Sequence, residues 1–259
     1  TPDTQSIKIY SIKFCRSLPT APTASSAIGA SMCEDYFTNT SGAVANIEKG
    51  KTNSLIGEIS EPPSGVYTHA MMELDPTFTF KSSLKFNGAV TDTNGNTNTV
   101  CRTKSVTSRD PHFNTGSSDD STDQSGVLCD NGTPETLSLT MNALDFNTGL
   151  DNECAMSHSY QGSDALVPVH MVLSNGKLGA IDCGTNGNAS NNISRIYGIV
   201  PVNINWTQGS GQTVNIRYNN TRGMQISWDD TTDNLIRYLH AAFFDVSIKV
   251  RTPRKRNWR

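Results

Sequence analysis

The chain has 259 residues and a formal net charge of −3, with 35% hydrophobic and 17% charged residues. It is long enough for a sizeable core, and too weakly charged and too rich in recurring aliphatic segments to be disordered. Mild acidity implies no nucleic-acid partner, and without a run of about 18 apolar residues no membrane-spanning helix is expected.

The start TPDTQ reads as a processed, mature N-terminus, consistent with a secreted protein. The first predicted element is SIKIYSIKFC, Ser6 to Cys15. Ile7 and Ile9 alternate with polar residues, as do Ile12 and Phe14, which predicts a strand with one buried face. The phase slips by one residue at Tyr10-Ser11, predicting a β-bulge. After the Pro/Ala/Ser-rich stretch that closes at Cys33, a turn at Pro62, Pro63 and Gly65 leads into a strand from Val66 to Leu74, with Met71 and Met72 on opposite faces. Thr77–Phe80 and Leu84–Phe86 resume the alternation. TDTNGNTNT (91–99) predicts a hairpin turn. A long polar loop covers 107–126, followed by a strand at Leu137, Leu139 and Met141 and a second polar stretch over 145–164. Further strands are predicted at 165–173, 177–181, 195–206, 213–218, 223–228 and 236–250. With about ten short strands, turn signals between them and no amphipathic helix beyond a possible turn near 233–239, the fold class is all-β. We expect an antiparallel β-sandwich or jelly roll, forming one domain over 1–259 with a weak division near 131–135 (NGTPE).

The cysteines are Cys15, Cys33, Cys101, Cys129, Cys154 and Cys183. Their even number, without a CxxC pair, fits an oxidised secreted chain better than a zinc site. Nearest-neighbour pairing is the simplest of the 15 connectivities six cysteines allow. It joins Cys15–Cys33, Cys101–Cys129 and Cys154–Cys183, each pair bracketing a polar stretch.

Signatures of catalysis are missing: there is no HExxH, GxSxG, P-loop or GxGxxG, and no enzyme is expected. Calcium is the better metal candidate. Asp92, Asn94 and Asn96 place oxygen ligands at alternate positions, with Gly95 permitting the turn, like the first half of a calcium loop; Asx turns explain the same residues. Sequons at Asn39, Asn188, Asn192, Asn205 and Asn219 are candidates for glycosylation. Trp206, Trp228 and Tyr218 lie on neighbouring predicted strands, packed in the core or offered to a sugar.

The segments SIKIYSIKFC and SLIGEISEPPSGVYTHAMMEL, within the first third of the chain, resemble a loose group of uncharacterised secreted bacterial β-domains. That resemblance implies a prealbumin- or immunoglobulin-like sandwich at the cell surface and assigns no catalytic residue. In architecture the chain is also similar to donor-strand, pilus-like filament subunits. This implies a secreted structural subunit that self-assembles into an extracellular filament or layer. The N-terminal strand (1–14) would then be lent to a neighbouring copy, placing Ile7, Ile9, Ile12 and Phe14 at the interface. The tail RTPRKRNWR (251–259) carries five basic groups and no acid, so Arg254, Lys255 and Arg256 are expected to meet an acidic surface on another copy. The alternative is a carbohydrate-binding adhesion module, with or without calcium.

Overall fold

A computed structural model describes residues 2–20, 28–105, 126–140, 169–173, 193–220, 224–229, 234–241 and 245–253. Cys154, Cys183, Asn188, Asn192, Arg254, Lys255 and Arg256 lie outside the described residues, as do the predicted polar loop at 107–126 except Gly126 and the predicted strand at 177–181. The described residues hold strands and no helix. In chain order they are β1 (Thr4–Cys15), β2 (Cys33–Glu48), β3 (Glu58–Ile59), β4 (Gly65–Leu74), β5 (Thr77–Lys81), β6 (Ser83–Asp92), β7 (Thr97–Thr103) and β8 (Val127–Leu128). They continue with β9 (Leu137–Thr140), β10 (Val169–Leu173), β11 (Ile193–Trp206), β12 (Thr213–Asn219), β13 (Met224–Asp229), β14 (Leu235–Ala241) and β15 (Asp245–Arg251).

The strands form three sheets. The largest has the order β10-β11-β4-β1-β2-β3, with β5 also paired to β1 and β9 to β5. The second runs β13-β14-β6-β7-β8, its β14–β6 pair being parallel, and β12 and β15 pair as a ribbon. Ile7, Ile9, Ile12 and Phe14 of the first sheet share one buried cluster with Leu84, Val90, Cys101, Ile236 and Leu239 of the second and Ile248 of the ribbon. Sheet packs on sheet, as alternating strands with one apolar face require. Val127 and Cys129 before the stretch 131–135, and Leu137 and Leu139 after it, belong to that same cluster.

The bulge falls where the alternation slips. The pairing of β1 with both β2 and β4 shifts register between Ile9 and Ser11. Tyr10 and Ser11 thereby both turn away from the main core, so Ile12 and Phe14 keep the inward phase of Ile7 and Ile9.

That opposite face is apolar at one end. Met72 belongs to the main core, whereas Met71 packs with Cys15, Ile28, Tyr197 and Ile199 in a second cluster. The Cys15–Cys33 disulfide joins residues that face each other across β1 and β2, and so anchors the returning chain at Ile28 over this second cluster. Cys101–Cys129 repeats the device on β7 and β8, next to the pair Arg102–Leu128. These are two of the expected pairings.

Candidate functional site

The donor-strand assignment of the N-terminal strand needs correction. β1 lies inside its own sheet, between β2 on one side and β4 and β5 on the other. Ile7, Ile9, Ile12 and Phe14 are all buried in the chain's own core. Phe14 packs its ring 5.0 Å from Tyr36, 5.9 Å from Tyr67 and 6.1 Å from Trp206. At about 1.5–3 kcal/mol for each large side chain buried, β1 is a strand the domain cannot lend without exposing its centre. Trp206, 1% exposed, belongs to the same aromatic group, and burial pushes the Tyr218 hydroxyl up. Trp206 is therefore no sugar-stacking surface, Tyr218 is half-buried against the core, and the Trp228 side chain lies outside the described residues.

The calcium reading is corrected as well. Asp92 is buried, and its carboxylate is occupied by N–H donors. Oδ1 accepts from the backbone N–H groups of Asn94 (2.9 Å) and Asn96 (3.0 Å), and Oδ2 from Cys129 N–H (2.8 Å) and Asn96 Nδ2 (3.0 Å). The cluster is the knot of a tight hairpin: Gly95 takes φ +82, and β6 and β7 pair on either side. A hard cation needs free oxygens, and these are taken by donors that tie the hairpin to β8.

Of the sequons, Asn39 is half-buried with its amide hydrogen-bonded. Its Nδ2 donates to Ile56 O (2.7 Å) and its Oδ1 accepts from Ser41 N–H (2.9 Å). Asn205 and Asn219 are exposed.

Two charged groups went unnoticed in the sequence. The first lies at the bulge. Ser11 Oγ donates to Glu73 Oε2 (3.0 Å), Arg195 Nε donates to Glu73 Oε1 (3.0 Å), and Tyr10 OH donates to Asp75 Oδ2 (2.8 Å). The Arg195 guanidinium stacks 3.6 Å from the centre of the Tyr10 ring, and Lys8 stands 3.8 Å from Asp75. Burial, and then Asp75, push the Tyr10 hydroxyl up; burial, and then Glu73, do the same for Tyr197. Both phenols therefore stay protonated. Each carboxylate has its donors and Ser11 is buried, so this arrangement locks β1, β4 and β11 together at the irregularity rather than offering a reactive group. The second group is Arg102, which donates to Asp130 through Nε (2.6 Å) and Nη2 (3.2 Å) and to Glu135 through Nη1 (2.8 Å). Those charge-assisted bonds raise its affinity for the proton further and hold both carboxyls below their usual range. Together with Cys101–Cys129 it ties β7 to the described residues on the far side of 106–125.

Among the sheet ends of the described residues, the one at β2 is covered by the least chain together with exposed apolar side chains. Its outer neighbour, β3, pairs only through Phe37–Ile59 and Thr38–Glu58. Beyond that, side-chain contacts join the chain before β3 to β2: Asn39 with Ile56 O, and Asn53 with Asn46 O. Ile56 is 82% and Ile59 59% exposed, and Val44 is exposed on β2. Among the described residues no strand pairs with the outer side of β3.

Among the described residues no group of three His, Cys, Asp or Glu is placed to hold a metal ion, and no helix is long and apolar enough to cross a membrane. Comparison with family models, with curated proteins and with solved structures returns no match. The class is therefore defined by the chain's own geometry: a disulfide-stapled, all-β domain of packed, mostly antiparallel sheets, in which the β3 end of the large sheet is covered by a two-residue strand.

Proposed function

We propose that this chain is a secreted structural subunit that self-associates into an extracellular filament or layer, and that copies join at the β2–β3 edge. The observation that supports this reading is the exposed pair Ile56 and Ile59 on a sheet edge that only a two-residue strand covers. Proteins blunt such edges with charge, proline or bulges because unpaired N–H and C=O groups template another strand. Here the edge carries Glu58 and, just after it, Glu61, Pro62 and Pro63, yet still leaves the large apolar side chains of Ile56 and Ile59 exposed. A strand added from a second copy satisfies those backbone groups and buries alternate side chains, and a head-to-tail contact of that kind continues into a fibre or sheet. Disulfides suit the oxidising surroundings of a secreted protein. Negative-stain electron microscopy of the purified chain tests the reading: rods or ordered layers support it, and discrete particles of single-chain size at millimolar protein sink it.

A further inference from the structure

The edge that would join copies has a strong sign of charge. Glu58 is exposed on β3, Glu61 follows three residues later, and Glu34 stands at the start of β2. The register places Ile59 opposite Phe37, and Ser60 N–H donates to Tyr36 O (2.9 Å), so residues 58–61 run alongside the first part of β2. Lys13 is engaged by Asp35 (2.5 Å). Among the described residues Glu34, Glu58 and Glu61 have no cationic partner within salt-bridge distance.

The chain after β15 leaves from beside the same place. Gly209 N–H donates to Glu61 Oε2 (2.8 Å) and Gln208 N–H to Ser64 Oγ (3.0 Å). From the other side of that turn, Gln212 Oε1 accepts from Thr207 N–H (2.7 Å), and its Nε2 lies 3.5 Å from Thr252 Oγ1. Pro253 sits against Gly211. One short turn thus separates the last described residues, Thr252 and Pro253, from Glu61. Residues 254–259, RKRNWR, come next, and six extended residues reach about 20 Å.

We propose that residues 254–259 dock on the β2–β3 edge of their own chain. Arg254, Lys255 and Arg256 pair with Glu34, Glu58 and Glu61, and the tail covers the surface at which copies join. This regulation rests on that edge being the joining surface. It makes association dependent on ionic strength, because exposed charge pairs are screened once the Debye length falls to a few ångströms. The tail acts as an intramolecular competitor whose short tether gives it a high effective concentration.

The test compares the full chain, a chain stopped after Pro253, and the full chain with Glu34→Gln, Glu58→Gln and Glu61→Gln, each at low and at molar salt. Amide exchange over Ile56–Glu61 is measured on dilute monomer, and self-association by sedimentation velocity. The expected result at low salt is at least threefold faster exchange in both altered chains. Their association should begin at roughly tenfold lower concentration, and the full chain should join them when salt is raised. Unchanged exchange after truncation overturns the tail contact, and association weakened by truncation shows instead that the tail binds a second copy. Faster exchange without association in any of the three chains upholds the tail contact and overturns the assembly reading alone.

Discussion

At Asp92 four N–H groups converge on one buried carboxylate, and their satisfaction depends on it. Asp92→Ala leaves the buried Cys129 N–H without its acceptor and unties the turn donors of Asn94 and Asn96, so we expect a loss on the order of 2 kcal/mol in urea unfolding. Asp92→Asn, which keeps one carbonyl oxygen, costs less. Neither calcium nor a chelator should move the melting temperature of the wild type, and a calcium-dependent rise would restore the ligand reading. Asp130 and Glu135 behave differently, because they are exposed. Arg102 holds both below their ordinary values of 3.8 and 4.5. A depressed folded value means that the unfolded chain takes up protons first. The contribution is therefore whole above about pH 4.5 and drains away as the pH falls through the folded values. Solvent screening limits it to about 0.5 kcal/mol per pair. Arg102→Gln should lower the urea midpoint at pH 7 and the gap to wild type should narrow by pH 3; a gap that widens in acid contradicts the pairing.

Among the elements, β1 decides most. Phe14→Ala removes a ring from the aromatic group with Tyr36, Tyr67 and Trp206 and should cost about 3–5 kcal/mol. Lys13→Ala, on the opposite face, should stay within about 0.5 kcal/mol. Removing residues 1–14 should abolish cooperative unfolding altogether, because both neighbours of the strand lose their partner. A chain that still folds without them would reinstate β1 as a strand to be lent. Replacing Cys15 and Cys33 together by serine should cost roughly 3 kcal/mol for a loop of 18 residues and loosen Ile28 from Met71, Tyr197 and Ile199. Much at this scale was legible in the residues. Period two and its slip at Tyr10-Ser11 are local, and so is the turn chemistry of TDTNGNTNT. Two cysteine pairings followed from proximity because each joins strands that face each other directly. What a strand sits between is not local. Alternation in β1 said that one face is buried, and only the sheet order shows both of its edges occupied. Glu73 and Arg195 are 122 residues apart and meet because β11 pairs with β4. No sequence signal short of that pairing distinguishes them from solvated charges. Trp206 falls in phase with Val202 and Ile204 in the sequence, and the packing buries it against Phe14 and Tyr36.

At the scale of the whole molecule, the residues proposed to join copies are separate from those that hold the fold. The core, the two disulfides and the clamps at Glu73 and Arg102 hold the sheets. Ile56 and Ile59 at the β2–β3 edge are exposed and take no part in that packing, so these two side chains can be changed at little cost to the fold. Sedimentation velocity of the wild type beside Ile56→Lys with Ile59→Lys, at molar salt and with unfolding followed in parallel, tests the central claim most directly. We predict that the wild type grows into large species with rising concentration, while the double variant stays a single chain and keeps a wild-type melting temperature within about 2 °C. A double variant that assembles as the wild type does would show that copies do not meet at this edge.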